Sequence, residues 1–307
     1  MIASIFSKSK PINFIIVFFI TVLAFFMARK NLIINDFSVG FIFKQLGMFL
    51  LCCLTILVIN FIIYKNNLTN KNNYDILLFS LFLLLFYQTT NNTYILLSNF
   101  FVLLGLRRLI SLHTQKSIKK KLFDAAFWFG IATLFYFWSG LFFILTIISL
   151  LLYTDNNIRH WIIPFVGYLT VFIIAISVWL ITNRDVTFSF NLKDFISFDF
   201  SIYNTTNYLI GTTFALSFGI WASIFYVQNI KKKKKSLRVS FKIVMLAAVI
   251  AFFVIILSPL KTGSEFLFAF APLAIIITNY LQTIQENWFK EVFLSMLFVV
   301  PFLLLLL

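Results

Sequence analysis

The chain has 307 residues, of which 61% are hydrophobic, 20% aromatic and only 11% charged; phenylalanine alone accounts for 43 of them. Surface-to-volume scaling leaves a soluble domain of this length too little interior for so much apolar surface, so the composition excludes an ordinary water-soluble protein. The formal net charge of +15 does not indicate nucleic acid as a partner, because the basic residues lie in short segments beside apolar runs, where attraction to anionic lipid is the expected effect.

Apolar runs of roughly the length that crosses a bilayer recur from end to end. The run after the basic lead is followed by Arg29 and Lys30 rather than by a cleavage site, which predicts a retained first span. The sequence therefore predicts an all-α polytopic transmembrane bundle of about eleven spans, forming one integral membrane domain over residues 1–307. The runs are 12–28, 47–64, 75–90, 94–110, 122–138, 140–154, 161–182, 207–228, 243–260, 265–282 and 289–307.

Lysine and arginine are distributed unevenly over the loops that this threading produces. With the N-terminus in the cytoplasm, most of the 25 basic residues fall on the inner side, including the run 231-KKKKKSLR-238, whereas the ten acidic residues divide evenly. This bias is the one that the positive-inside rule describes. We therefore expect a multi-pass protein of the bacterial inner membrane, with basic loops that contact the anionic inner leaflet.

No strong catalytic or metal-binding motif is present. Cys52 and Cys53 are adjacent within an apolar run and are interpreted as small buried hydrophobes, and the two histidines fall in predicted inner loops without further ligands. No metal site is predicted, and any cofactor is unknown. The asparagine-rich run 65-KNNLTNKNNY-74 is attributed to the compositional bias of an AT-rich genome.

The predicted outer side holds the candidate site residues. Asp36 follows the first span, Arg184 the seventh and Lys261 the ninth, and Glu265 begins the tenth. Ionisable groups at membrane depth often face a cavity and mark a site. A carboxylate in the first turn of a helix is also stabilised by the helix dipole alone, or by pairing with Lys261, so both interpretations of Glu265 stay open.

Two outer segments are expected to be ordered at the bilayer surface. Residues 31–47 are apolar with polar interruptions, which is typical of an amphipathic helix lying in the interface. In residues 183–207 aromatic and polar residues alternate at first, and we expect the phenylalanines to dip into the bilayer.

Residues 107–145 join a basic loop to a glycine-containing pair of helices, and 265-EFLFAFAPLAI-275 places a polar head before an Ala-Pro-Leu step. This layout resembles a reduced version of the GT-C class of membrane glycosyltransferases. The resemblance implies that Asp36 corresponds to the catalytic acid of the first outer loop, and that Glu265 or Lys261 lies near a lipid-phosphate site. More narrowly, SIFSKSKPINF and GSEFLFAFAPLAI resemble an uncharacterised family of polytopic inner-membrane proteins of about 300 residues from Bacteroidota.

Three functions are compatible with this sequence. The first is an enzyme of cell-envelope biogenesis that transfers or handles a polyprenyl-phosphate-linked sugar at the outer leaflet, with Asp36 and Glu265 as catalytic candidates and Lys261 and Arg184 binding substrate phosphate. The second is a transporter of a lipid or small molecule. The third is a non-catalytic subunit or scaffold that docks a membrane-protein partner.

Overall fold

The computed structural model describes residues 2–35, 39–153, 158–183, 196–259 and 261–306. Over this part of the chain the protein is 86% helical and contains no strand. In lipid every backbone N–H and C=O must be satisfied internally, and a helix does this within one segment. The predicted all-α class is confirmed. The helices are α1 (Ile2–Phe6), α2 (Pro11–Asn35), α3 (Val39–Asn66), α4 (Tyr74–Leu85), α5 (Thr93–Ile110), α6 (Ile118–Phe135), α7 (Ile144–Leu152), α8 (Ile158–Asn183), α9 (Thr206–Ile230), α10 (Lys235–Leu257), α11 (Leu267–Thr283) and α12 (Asn287–Leu304).

Eight stretches among the described residues are long and apolar enough to cross a membrane, which fits the predicted membrane protein. The count of eleven is not confirmed, because three runs behave differently. The run 75–90 gives the twelve-residue helix α4, and α6 carries three lysines and Asp124 near its start. The run 140–154 divides between a 3₁₀ helix, Phe137–Phe143, and the nine-residue α7. The eight stretches are Pro11–Lys30, Val39–Asn66, Thr93–Thr114, His160–Thr182, Thr206–Ile230, Lys235–Leu257, Ser264–Thr283 and Asn287–Leu304.

The prediction of a separate interfacial helix over residues 31–47 is wrong for the residues described. Residues 31–35 continue α2, and α3 already begins at Val39. Most residues of this stretch are apolar and extend the apolar runs on either side, so the two long helices continue into it. Asp36 lies outside the described residues.

The chain divides into two compact units, and the first comprises Met1–Leu96, Phe200–Lys233 and Thr262–Leu307. Its core is α4, whose residues are all buried and which packs against α2, α3, α11 and α12. The rings of Phe79 and Phe82 lie 6.2 Å and 5.7 Å from that of Phe270 in α11. A helix of this length spans about 18 Å, less than the roughly 30 Å of hydrocarbon, and the chain continues from it into the 3₁₀ turn Tyr87–Thr90. Because other helices bury all of its residues, α4 is a core helix within the protein.

The second unit comprises Leu97–Asp199 and Lys234–Lys261. Its main packing is between α6 and α8. Small residues allow these helices to approach closely: a Cβ added at Gly167 would lie 2.7 Å from the carbonyl oxygen of Phe123. The prediction of one integral domain stays a prediction, since a division by proximity does not decide whether the units fold separately.

Candidate functional site

Glu265 lies in the 3₁₀ turn Ser264–Phe266 that leads into α11, and its side chain is fully buried. The hydroxyl of Tyr203 donates a hydrogen bond to Oε1. The hydroxyl of Thr262 donates to Oε2 at 3.2 Å. No cation of the described residues lies within ion-pair distance of this carboxyl group. The carboxylate is therefore held by hydroxyl groups at the start of a helix, where the dipole also favours it.

A tight turn places Glu265 against a tyrosine and a layer of aromatic rings. Gly263 has a φ of +80°, a conformation that L-residues rarely adopt. The single proton of the Tyr208 hydroxyl is shared between Oε1 of Gln88 and, at 3.1 Å, the carbonyl oxygen of Thr262. The ring of Phe266 stacks on that of Phe86, with centroids 4.8 Å apart and planes inclined by 7°. The turn is thus fixed by side chains from α9 and from the connection after α4.

A second polar network surrounds Arg29 near the end of α2, and the side chain of this arginine is only 2% exposed. The guanidinium donates from Nη1 to the hydroxyl of Thr90 at 2.9 Å and from Nη2 to the carbonyl oxygen of the same residue at 2.6 Å. Its Nε donates to the side-chain oxygen of Gln45 in α3. The guanidinium carbon, Cζ, lies 3.4 Å from the ring centroid of Phe25. The planar guanidinium of arginine can donate to these acceptors at the same time, which the single ammonium group of a lysine could not do.

The 3₁₀ turn Tyr87–Thr90 connects the two networks. Thr90 accepts from Arg29, and Gln88 accepts from Tyr208, which also holds the turn that carries Glu265. The Arg29 network ties the end of α2 to the start of α3, the two helix ends that flank Asp36. Both networks therefore lie at one end of the first unit.

Of the four predicted site residues, Asp36 and Arg184 lie outside the described residues, and the structure describes Lys261 and Glu265. Lys261 belongs to the second unit and is 2% exposed. Its ammonium group donates to the carbonyl oxygens of Ile255, at 2.8 Å, and Ile256. These carbonyls are at the last turn of α10, where they have no partner within the helix. Lys261 thus caps α10, and its predicted contact with phosphate stays a prediction.

The family model described as a family of unknown function (DUF6427) matches residues 1–306. The chain belongs to the DUF6427 family. No curated protein and no solved structure matches it. The expectation that the whole chain is a member of an uncharacterised family is confirmed, while the resemblance to GT-C enzymes and the origin in Bacteroidota stay predictions.

A further acid of this DUF6427 chain, Asp75, was missed in the sequence. It lies in the first turn of α4, is fully buried, and lines a cavity of about 500 Å³ together with amide side chains and Lys71. Neither carboxylate oxygen accepts a hydrogen bond of normal geometry within the described part of the chain. The signal that could have found it is an acid closing the asparagine-rich run, which was attributed to composition. We name this space the Asp75 cavity; its amide residues are Asn60, Asn67, Asn70, Asn72 and Asn73.

Metal ligands are not grouped in this protein as far as it is described: no cluster of three or more His, Cys, Asp or Glu side chains occurs among those residues. Cys52 and Cys53 carry free thiols, and Cys52 is buried.

Proposed function

We propose that this DUF6427 protein is a multi-pass protein of the bacterial inner membrane with a cytoplasmic N-terminus, and that it acts in cell-envelope biogenesis at the outer ends of its helices. Eight apolar helices of membrane length support a membrane location. The concentration of basic residues in alternate loops supports the orientation. On this threading the Tyr87–Thr90 turn and both networks attached to it lie at the outer end.

The proposed activity is a GT-C-like transfer of a sugar from a polyprenyl-phosphate carrier. The observation that carries this proposal is the attachment of both networks to one turn, because it brings the helix ends that flank Asp36 and the turn of Glu265 to the same end of one unit. An acid on a short connection, supported by a rigid frame, is the arrangement that positioned acid–base catalysis requires.

The proposed chemistry assigns the proton and the leaving group as follows. The acceptor hydroxyl gives its proton to the carboxylate of Asp36 and its oxygen forms a bond to the anomeric carbon. The bond between that carbon and the phosphate oxygen breaks, and polyprenyl phosphate leaves with the electron pair. Arg184 and Lys261 are proposed to stabilise the phosphate charge; for Lys261 this requires exchanging its bonds to the α10 carbonyls. The contacts of Glu265 favour a positioning role, through Tyr203.

The test compares lipid-linked glycans extracted from cells that carry the wild type, Asp36→Asn or Glu265→Gln, with Glu286→Gln as a matched control. Glu286 is exposed at the N-cap of α12, so its loss should change nothing. Asp36→Asn should abolish the change in glycolipid profile that the wild type produces, and Glu265→Gln should reduce it while lowering thermal stability. An Asp36→Asn strain with a wild-type profile would refute the enzymatic proposal.

A second candidate function, a non-catalytic membrane subunit, is favoured by one observation. The described hydrogen bonds of Glu265 and Lys261 are all to other groups of the chain itself. Purification in mild detergent decides between the two. A stoichiometric membrane-protein partner, together with an unaltered glycolipid profile in the Asp36→Asn strain, would support the subunit.

A further inference from the structure

The carboxyl group of Asp75 is fully buried and lies outside the eight candidate spans, and neither oxygen accepts a hydrogen bond of normal geometry from the described residues. Burial raises the pKa of Asp75 to about 7, although the backbone N–H groups of Ile76 and Asp75 act in the opposite direction. A buried carboxylate without a partner is strongly disfavoured, so a ligand that brings N–H donors into the cavity gains the most at this point.

The other polar groups of the Asp75 cavity indicate what the rest of such a ligand carries. Five asparagine amides line the space and offer both carbonyl oxygens and N–H groups, and Nδ2 of Asn73 has no partner in the described chain. Lys71 is exposed and is the other charged residue of the lining. A ligand with a cation inside and an anionic group toward Lys71 would match both charges.

The frame of the cavity is tied together by hydrogen bonds from several elements. The hydroxyl of Tyr74 donates to the carbonyl oxygen of Ala3 at 2.6 Å. The backbone N–H of Asn73 donates to the carbonyl oxygen of Phe6 at 3.1 Å. Nδ2 of Asn279 in α11 donates to the carbonyl oxygen of Leu68 at 3.0 Å. These bonds hold the loop between α3 and α4 in place, so the cavity is preformed, as ligand sites usually are.

The cavity opens beside an exposed apolar face of α3. Tyr64 lines it and is 63% exposed, at the end of the candidate span formed by α3. Leu57 and Phe61, seven and three residues earlier, are also exposed, and this spacing puts all three on one helix face. Ser9, which also lines the cavity, immediately precedes the span that begins near Pro11. A site at the ends of two spans lies at the depth of lipid headgroups, where tyrosine is enriched.

We propose that the Asp75 cavity binds a primary ammonium group joined to a phosphate ester, the chemistry of a phosphatidylethanolamine headgroup. The ammonium donates to Asp75, the phosphate lies toward Lys71, and the acyl chains run along the face of α3 that carries Leu57, Phe61 and Tyr64. Free phosphoethanolamine esters share this headgroup chemistry but lack the contact with α3.

The test uses the purified full chain in maltoside micelles, titrated with short-chain phosphatidylethanolamine or phosphatidylcholine. Lipid retention is measured by native mass spectrometry and thermal stability by tryptophan fluorescence. The wild type should retain phosphatidylethanolamine about tenfold better, because a quaternary ammonium has no N–H group to donate to Asp75. A soluble glycerophosphoethanolamine arm distinguishes the two sources: if it stabilises the protein as well as the lipid does, the site takes the free headgroup.

Variants locate the effect. Asp75→Asn should remove the preference between the two lipids, whereas Asp124→Asn, which breaks the ion pair with Arg108 in the other unit, should leave it unchanged. Lys71→Ala should weaken retention of both lipids equally, since both carry the phosphate. If Asp75→Asn does not fold, Asn60→Trp, which places a large ring in the cavity and keeps the carboxyl group, must remove the preference instead. Equal retention of both lipids by the wild type, or a preference that survives in the folded Asp75 or Asn60 variant, would overturn the proposal.

Discussion

Replacement of Gly263 by alanine should destabilise the candidate site more than replacement of any helical glycine with open space beside it. At a φ of +80° an L-residue costs about 1–2 kcal/mol. A Cβ would also lie 2.6 Å from Cζ of Tyr208, so the ring must move. That movement breaks the hydrogen bond that its one hydroxyl proton shares between Gln88 and Thr262, worth about 1 kcal/mol net. The expected loss for Gly263→Ala is therefore about 2–3 kcal/mol.

Thermal unfolding of purified protein in detergent measures this loss, with Gly47→Ala as the matched control. A Cβ at Gly47 in α3 meets nothing within 4 Å, and alanine is the better helix former by roughly 0.5–1 kcal/mol, so the control should melt at or above the wild-type Tm. Gly263→Ala should melt several degrees lower and should lose activity in proportion to the folded fraction. A Gly263→Ala protein that melts like the control would show that the turn is not held against Tyr208, and the reasoning would fail.

Two further outcomes are expected in the same melting assay. Arg29→Lys should lower the free energy of unfolding by about 2 kcal/mol, because a lysine cannot donate to Gln45 and to both oxygens of Thr90 at once; an unchanged Tm would contradict the assigned network. Burial raises the pKa of Asp75 from 3.8 to about 7, so its contribution to stability is complete below about pH 4 and is lost as the pH rises through about 7. In lipid-free detergent the Tm of the wild type should therefore fall relative to that of Asp75→Asn between about pH 4 and pH 7, and parallel curves would contradict the assigned burial.

Hydropathy predicted the long spans because apolar residues raise the mean hydropathy of a segment whether they face lipid or protein. For the same reason it did not show that protein rather than lipid covers α4. Residues 75–90 were predicted as a span, and the structure surrounds all of Tyr74–Leu85 with other helices and continues the chain into the 3₁₀ turn Tyr87–Thr90. Only the partners of a helix reveal whether protein or lipid covers it, and those partners come from distant parts of the sequence.

The candidate site shows a similar division between local and distant information. The sequence predicted that Glu265 begins a helix, a local property, and the structure places it in the turn that leads into α11. Its partner Tyr203 lies 62 residues earlier, and no spacing rule connects the two. Lys261 was expected to meet a phosphate or Glu265; its described bonds are to backbone carbonyls of α10, which offer acceptors whatever side chains the helix carries.

The two buried acids of the first unit carry the same chemical group but differ in what they can do. Glu265 accepts hydrogen bonds at both oxygens, so the folded chain already stabilises it, and a ligand would have to displace Tyr203 or Thr262 to reach it. Asp75 is equally buried, has neither oxygen engaged in the described chain, and borders a preformed polar space. Because an unpartnered buried carboxyl group costs far more than a partnered one, the free energy available to a ligand is larger at Asp75. Glu265, which the sequence predicted as a site residue, therefore contributes more to stabilising the fold. Asp75, which the sequence analysis did not identify, is the better site for binding a cation.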